Sequence, residues 1–269
     1  MKILSQIKSL RAAPEVSRGP RIAVFGDSHV AALAQAQNFS GRKSHYGHIS
    51  LFQRLKDKNG KRLGDITLSG FCREISKYGP DDFIFSAVGG NNYAVVSTVR
   101  DRTEYDFLAS PSETNLVREE AELVPFRAIA NHIESGLRGT LGPVLEAIRS
   151  STSAKLFYLA PPPPKEDNSF IAAHFEKRFA QDGMLDLGPT RPDLRLKCWK
   201  LQLDCLAEIC DELGFRLIMP PAKSVTPAGF LVPQCYAKDV THGNRVYGDY
   251  VLKQISKITR TFDQAKLQS

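Results

Sequence analysis

Along this chain, short runs that are apolar at nearly every position alternate with longer stretches of helical period. Runs at residues 21–25, 65–68, 82–87, 155–159 and 216–219 read as strands. Helical stretches read at 30–38, 70–78, 127–150 and 195–213, with a last one near 244–261. Runs such as RIAVF and FIFSAV are apolar on both faces, so both faces need cover. Strands alternating with helices imply crossover connections, hence an α/β fold with a parallel sheet covered on both sides. Four of these strands feed a loop of unusual chemistry: GDSH, GGNN, APPPP and MPPA. In an open parallel sheet such loops share the carboxyl edge, where ligands bind. Two long intervals, 93–127 and 161–190, read as insertions over that edge that would cap and shape a pocket.

Composition adds boundaries. A chain of 269 residues, 42% hydrophobic and 24% charged, can bury a sizeable core. The pattern divides it into an N-terminal extension, 1–20, and one α/β domain, 21–262. In the extension, Ile3, Ile7 and Leu10 have the spacing of a short amphipathic helix. The formal charge of +7 includes a basic cluster at Arg54, Lys56, Lys58, Lys61 and Arg62, which reads first as a solvated face and second as a surface for an anionic polymer or membrane headgroup. No zinc-finger spacing or basic-helix pattern points to nucleic acid, so none is expected as a partner. Five cysteines, an odd number with no C-x-x-C pair, read as reduced thiols. With no continuous apolar segment at the N-terminus or elsewhere, neither a signal peptide nor an integral membrane segment is expected, and a cytoplasmic location is the default.

Three blocks bear chemistry. Gly26-Asp27-Ser28-His29 lies between a strand and a helix, so the Ser28 hydroxyl sits at a helix N-terminus among outward-pointing N–H groups. A plain N-cap at Asp27 or Ser28 would use the same residues. Asp239-Val240-Thr241-His242 can set a carboxylate against imidazole Nδ1, leaving Nε2 as a base. Gly89-Gly90-Asn91-Asn92 could supply an amide donor to an oxyanion, and is also good turn chemistry.

In this order and strand context, the blocks resemble those of the SGNH (GDSL-like) hydrolase superfamily. Its GDS block is matched at Gly26, Asp27 and Ser28, its G-x-N-D block at Gly89 and Asn91, and its D-x-x-H block at Asp239 and His242. His29 stands where the usual wording has leucine, and Asn92 where it has aspartate. The resemblance implies a three-layer α/β/α, flavodoxin-like fold with a five-stranded parallel sheet in order 2-1-3-4-5. It also implies Ser28 as nucleophile, His242 as base and Asp239 as its orienting partner. The oxyanion would be held by the Ser28 N–H, the Asn91 amide and a glycine after the second strand, Gly70 or else Gly64. Asp27, His29 and Tyr93 are candidate substrate contacts, and Tyr93 reads equally as a packing residue. No metal or organic cofactor is needed, and the partner would be a small-molecule or carbohydrate acyl ester. Two other functions fit the same residues: an O-acyltransferase using the same triad, and a binding protein that keeps the fold without catalysis. His45 and His48 lack a third metal ligand nearby, and the Pro161–Pro164 run stiffens a pocket rim.

Overall fold

The computed structural model describes residues 19–39, 49–58, 61–109 and 120–267. The amphipathic spacing at Ile3, Ile7 and Leu10, nearly all of the 1–20 extension, and the His45/His48 pair lie outside those residues. In chain order the elements are β1 (Ile22–Gly26), α1 (His29–Phe39), β2 (Ile49–Gln53), β3 (Lys56–Lys58), β4 (Lys61–Leu63) and α2 (Leu68–Ile75). Next come β5 (Phe83–Ala87), α3 (Asn92–Ser97), β6 (Tyr105–Asp106), β7 (Glu122–Leu123), α4 (Phe126–Ser151) and β8 (Lys155–Leu159). Three short helices follow, α5 (Asn168–Ala173), α6 (Lys177–Gln181) and α7 (Met184–Leu187). The chain then forms α8 (Pro192–Glu212), β9 (Arg216–Ile218) and α9 (Arg245–Leu267).

The main sheet runs β2-β1-β5-β8-β9, every pair parallel, which is the expected 2-1-3-4-5 order. Alternation along β1 shows how it is covered. Ala23 and Phe25 face one apolar cluster with Phe71, Leu141 and Leu206, while Ile22 and Val24 face another with Leu33, Val251 and Ile255. Helices α2, α4 and α8 supply the first layer, and α1 and α9 the second. Rings stack through both, Phe25 on Phe71 at 4.3 Å and Phe85 on Phe157 at 4.8 Å. Truncating such a buried ring to alanine costs about 3–5 kcal/mol. On the second layer a Cβ at Gly248 would sit 2.1 Å from the Ala32 carbonyl oxygen, so α9 packs directly on the backbone of α1.

One strand was misplaced by pattern. The second strand is 49–53, not 65–68: Ile66 makes only an isolated bridge to Arg54, and Thr67 caps α2, which begins at Leu68. The cause is position. β2 is one of the sheet's two edge strands, partly exposed along ISLFQ, so it lacks the all-apolar signature of the interior strands. All five cysteines are free thiols, four of them buried. Among the described residues no helix is long and apolar enough to cross a membrane.

Candidate active site

The serine loop is built by the sheet. β1 ends at Gly26, where a Cβ would lie 2.5 Å from the Ala87 carbonyl oxygen at the end of β5. Only glycine lets the two strand ends approach so closely. Asp27 and Ser28 then turn the chain into α1, their carbonyls accepting from Val30 and Ala31. Neither side chain caps the helix. Asp27 Oδ2 accepts from the Gly89 N–H at 2.9 Å, and its two oxygens take Arg54 Nε at 2.7 Å and Nη2 at 3.1 Å. Lys56 Nζ adds a contact at 2.9 Å. Burial would raise the Asp27 pKa, but Lys56, Arg54 and the Gly89 N–H together hold it below the usual carboxylate range. Asp27 therefore ties β1, β2 and β5 together at their carboxyl ends, and has no oxygen left idle for a substrate. The Ser28 N–H makes no hydrogen bond among the described residues and stays at the N-terminus of α1.

Ser28 Oγ is exposed and lies 2.6 Å from His242 Nε2. On the other side of the ring, Nδ1 is 2.9 Å from Asp239 Oδ2. A carboxylate can only accept, so Nδ1 carries the proton and Nε2 accepts from the serine hydroxyl. Asp239 Oδ1 meanwhile accepts from the Thr241 N–H at 3.0 Å and the His242 N–H at 2.8 Å, folding D-V-T-H into a tight turn. The turn sits at the tip of a loop closed by the Tyr236–Gly243 bridge. Asn244 then opens α9, its Oδ1 accepting from Val246 N at 2.8 Å.

Lys165 supports that tip from below. Its side chain is 1% exposed, and Nζ donates to the backbone carbonyls of Ala237 and Asp239 and lies 3.5 Å from Asp239 Oδ1. The ammonium also rests 5.0 Å from the Phe170 ring and 5.3 Å from the Tyr236 ring. Burial pulls the Lys165 pKa down to about 8, against the opposing pull of Asp239 and Glu176. For Asp239 burial acts upward, but His242 and then Lys165 outweigh it and keep the carboxylate well below its ordinary range. Glu176 comes close as well: donor atoms of Glu176, Asp239 and His242 lie within 4.8 Å, though Asp239 and His242 already bond each other.

Asn91 precedes α3 and uses no side-chain cap; its Nδ2 donates to Thr241 Oγ1 at 3.3 Å, linking the β5 loop to the His242 turn. His29 lies behind, its ring 4.8 Å from that of His242. Burial, then the adjacent His242, drives the His29 pKa down to about 3, so its imidazole is neutral at ordinary pH. The Asn91 carboxamide pulls the other way, yet among the described residues neither His29 Nε2 nor Asn91 Oδ1 reaches hydrogen-bond geometry with a partner.

Ser28 and Asn91 open onto a pocket of about 280 Å³ that Arg54, Lys56 and Arg178 also line. Two larger cavities, about 410 and 740 Å³, lie beside α8 and α3 and contain none of Ser28, Asn91, Asp239 or His242. From the two long intervals, Val95 and Arg178 reach the Ser28 pocket.

Three expected site residues stand elsewhere. The Gly70 N–H donates to Thr67 Oγ1 at 3.0 Å as part of the α2 cap, and Gly70 does not line the pocket. Gly64 does not line it either; its φ of +102°, and the 2.4 Å at which a Cβ there would meet the Arg54 carbonyl oxygen, mark a turn residue. Tyr93 is 2% exposed, packs into the core and donates its N–H to Gln202 Oε1, so it is not placed to touch substrate. Motif reading passed over Lys165, Thr241 and Arg178. It took Arg54 and Lys56 for a solvated face, although they sit against the half of the site that holds Asp27.

No family model matches this chain, and no curated protein sequence matches it. Among solved structures it is similar to an extracellular lipase from Streptomyces rimosus, at 12% identity and a TM-score of 0.47, covering 88% of this chain and 99% of that one. It is similar to a GDSL-like lipase from Bacteroides thetaiotaomicron at 11% identity and 0.45, covering 93% and 92%. Phospholipase A1 from Streptomyces albidoflavus gives 12% identity and 0.45, covering 89% and 100%. Likenesses of this depth carry no inference about chemistry.

Proposed function

We propose that the chain is a serine hydrolase that cleaves a carboxylic ester through an acyl-enzyme on Ser28. The observation that carries this reading is the unbroken run from Ser28 Oγ through His242 to Asp239, at 2.6 and 2.9 Å. In the first step His242 Nε2 takes the hydroxyl proton as Oγ attacks the ester carbon, and the carbonyl electron pair moves onto oxygen. The Ser28 N–H and Asn91 Nδ2 are the donors available to that oxyanion; one such donor is worth about 3–4 kcal/mol of transition-state stabilisation. The imidazolium is balanced by Asp239, while neutral His29 beside it adds no competing charge. Collapse expels the alcohol, which takes the proton from Nε2. Water then repeats the sequence and releases the acid. Ser28→Ala is expected to lower kcat on activated esters by about a millionfold with the circular dichroism spectrum unchanged. Retention of most of the activity would refute the proposal.

A further inference from the structure

The pocket around Ser28 is lined by three cationic side chains, Arg54, Lys56 and Arg178, and by a single carboxylate, Asp27. Asp27 is shared by Arg54 and Lys56, so one of those charges is left over. The Arg178 guanidinium makes no ion pair or hydrogen bond among the described residues; it is exposed and stacks 4.3 Å from the buried Phe179 ring. Stacking fixes the plane of a guanidinium while leaving its N–H edge available, which is how arginine presents itself to planar oxyanions. Nearby acids do not cancel the excess. Asp239 is bonded to His242 and balanced by the Lys165 ammonium beside it, and Glu176, which accepts from the Val240 N–H, offsets only one of the remaining positive charges. A concave pocket with excess charge of one sign concentrates ligands of the other.

Building on the ester-hydrolase reading, we infer that the preferred substrate is an ester bearing a second, anionic group, a carboxylate or phosphate, which the Arg54, Lys56 and Arg178 side of the pocket receives. Neutral esters would then bind without the contact that orients the reacting carbonyl. Cations serving only the developing oxyanion would assist neutral and anionic esters alike, and this separates the two ideas.

Two matched pairs test the inference and tell which end of the ester carries the anion. On the acyl side, 4-nitrophenyl hemiglutarate is compared with 4-nitrophenyl pentanoate. On the alcohol side, 4-acetoxyphenyl phosphate is compared with 4-methylphenyl acetate. In at least one pair kcat/KM for the anionic member is expected to exceed the neutral one by about tenfold or more, with the ratio falling as salt is raised. Arg178→Gln is expected to cut that ratio about fivefold or more, and Arg178→Glu to cut it further. Equal or better use of the neutral ester in both pairs, or an equal fall for both members in the Arg178 variants, overturns the inference. If no ester is cleaved, the hydrolase reading fails, and calorimetric titration of inorganic phosphate and of glutarate still decides the anion site. Binding that weakens in Arg178→Gln supports it, and no binding of either overturns it.

Discussion

Two carboxylates, Asp27 and Asp239, sit at the same sheet edge and are held in opposite ways. Asp27 is 6% exposed and is satisfied by two cations and the Gly89 N–H, all belonging to the ends of neighbouring strands or the segments that follow them. Asp239 gives one oxygen to an imidazole and the other to the amides of its own turn. Its loop rests on a buried lysine that is 74 residues away in sequence. The first carboxylate braces a scaffold; the second, in our proposal, controls a proton. The serine therefore takes its position from the sheet, whereas the base takes it from a side-chain contact that titrates.

The most severe test of this contrast is Asp239→Asn. An amide in that place can donate to Nδ1 and favour the wrong imidazole tautomer, so kcat should fall about ten-thousandfold with little change in melting temperature. A loss below about tenfold would remove Asp239 from the proton path. Next comes Lys165→Met, which keeps the length of the side chain but not its ammonium. Expected is a fall in kcat of about ten- to a hundredfold with KM little altered. The sign of the pH effect follows from the lowered pKa: the ammonium is intact below about 8 and lost as pH rises through it. Activity of the parent protein should thus decline above pH 8 or so, and Lys165→Arg, which stays charged, should carry that decline to higher pH. An unchanged alkaline limb in Lys165→Arg would leave Lys165 with packing alone.

On the scaffold side the expected effects are smaller. Asp27→Asn should cost about 1–3 kcal/mol of stability at neutral pH, because Arg54 and Lys56 lose their partner. Since the folded pKa of Asp27 lies below 3.8, its contribution is present above that value and is lost as pH falls through the folded one. The gap between parent and variant in denaturant midpoint should narrow in that acid range. Smallest of all is Gly70→Ala. Its added methyl meets the Ile66 side chain at 2.9 Å and should cost some stability. With the Gly70 N–H already bonded to Thr67, kcat should change less than about twofold. A hundredfold loss would return Gly70 to the oxyanion.

The same contrast explains what could be read from sequence. Interior strands such as β1 and β5 announce themselves because both faces are buried, and residues apolar at nearly every position are the direct result. The edge strand β2 is covered only in part and carries no such signature. Ser28, Asn91, Asp239 and His242 were legible as three short blocks, because each block depends on neighbours one to three residues away. Lys165 was not, since nothing local to PPPPK tells which distant carbonyls converge on the ammonium. Gly70 illustrates a missed local signal: Thr67, three residues before it at the start of an apolar helical stretch, is a capping pattern that already consumes its N–H.

The most direct measurement is to treat the folded protein with a fluorophosphonate and locate the adduct by peptide mass spectrometry. Ser28 as a nucleophile activated by His242 predicts one adduct, on Ser28, that disappears in His242→Ala. Absence of labelling in folded protein, or an adduct on another residue with Ser28 unmodified, would contradict the account.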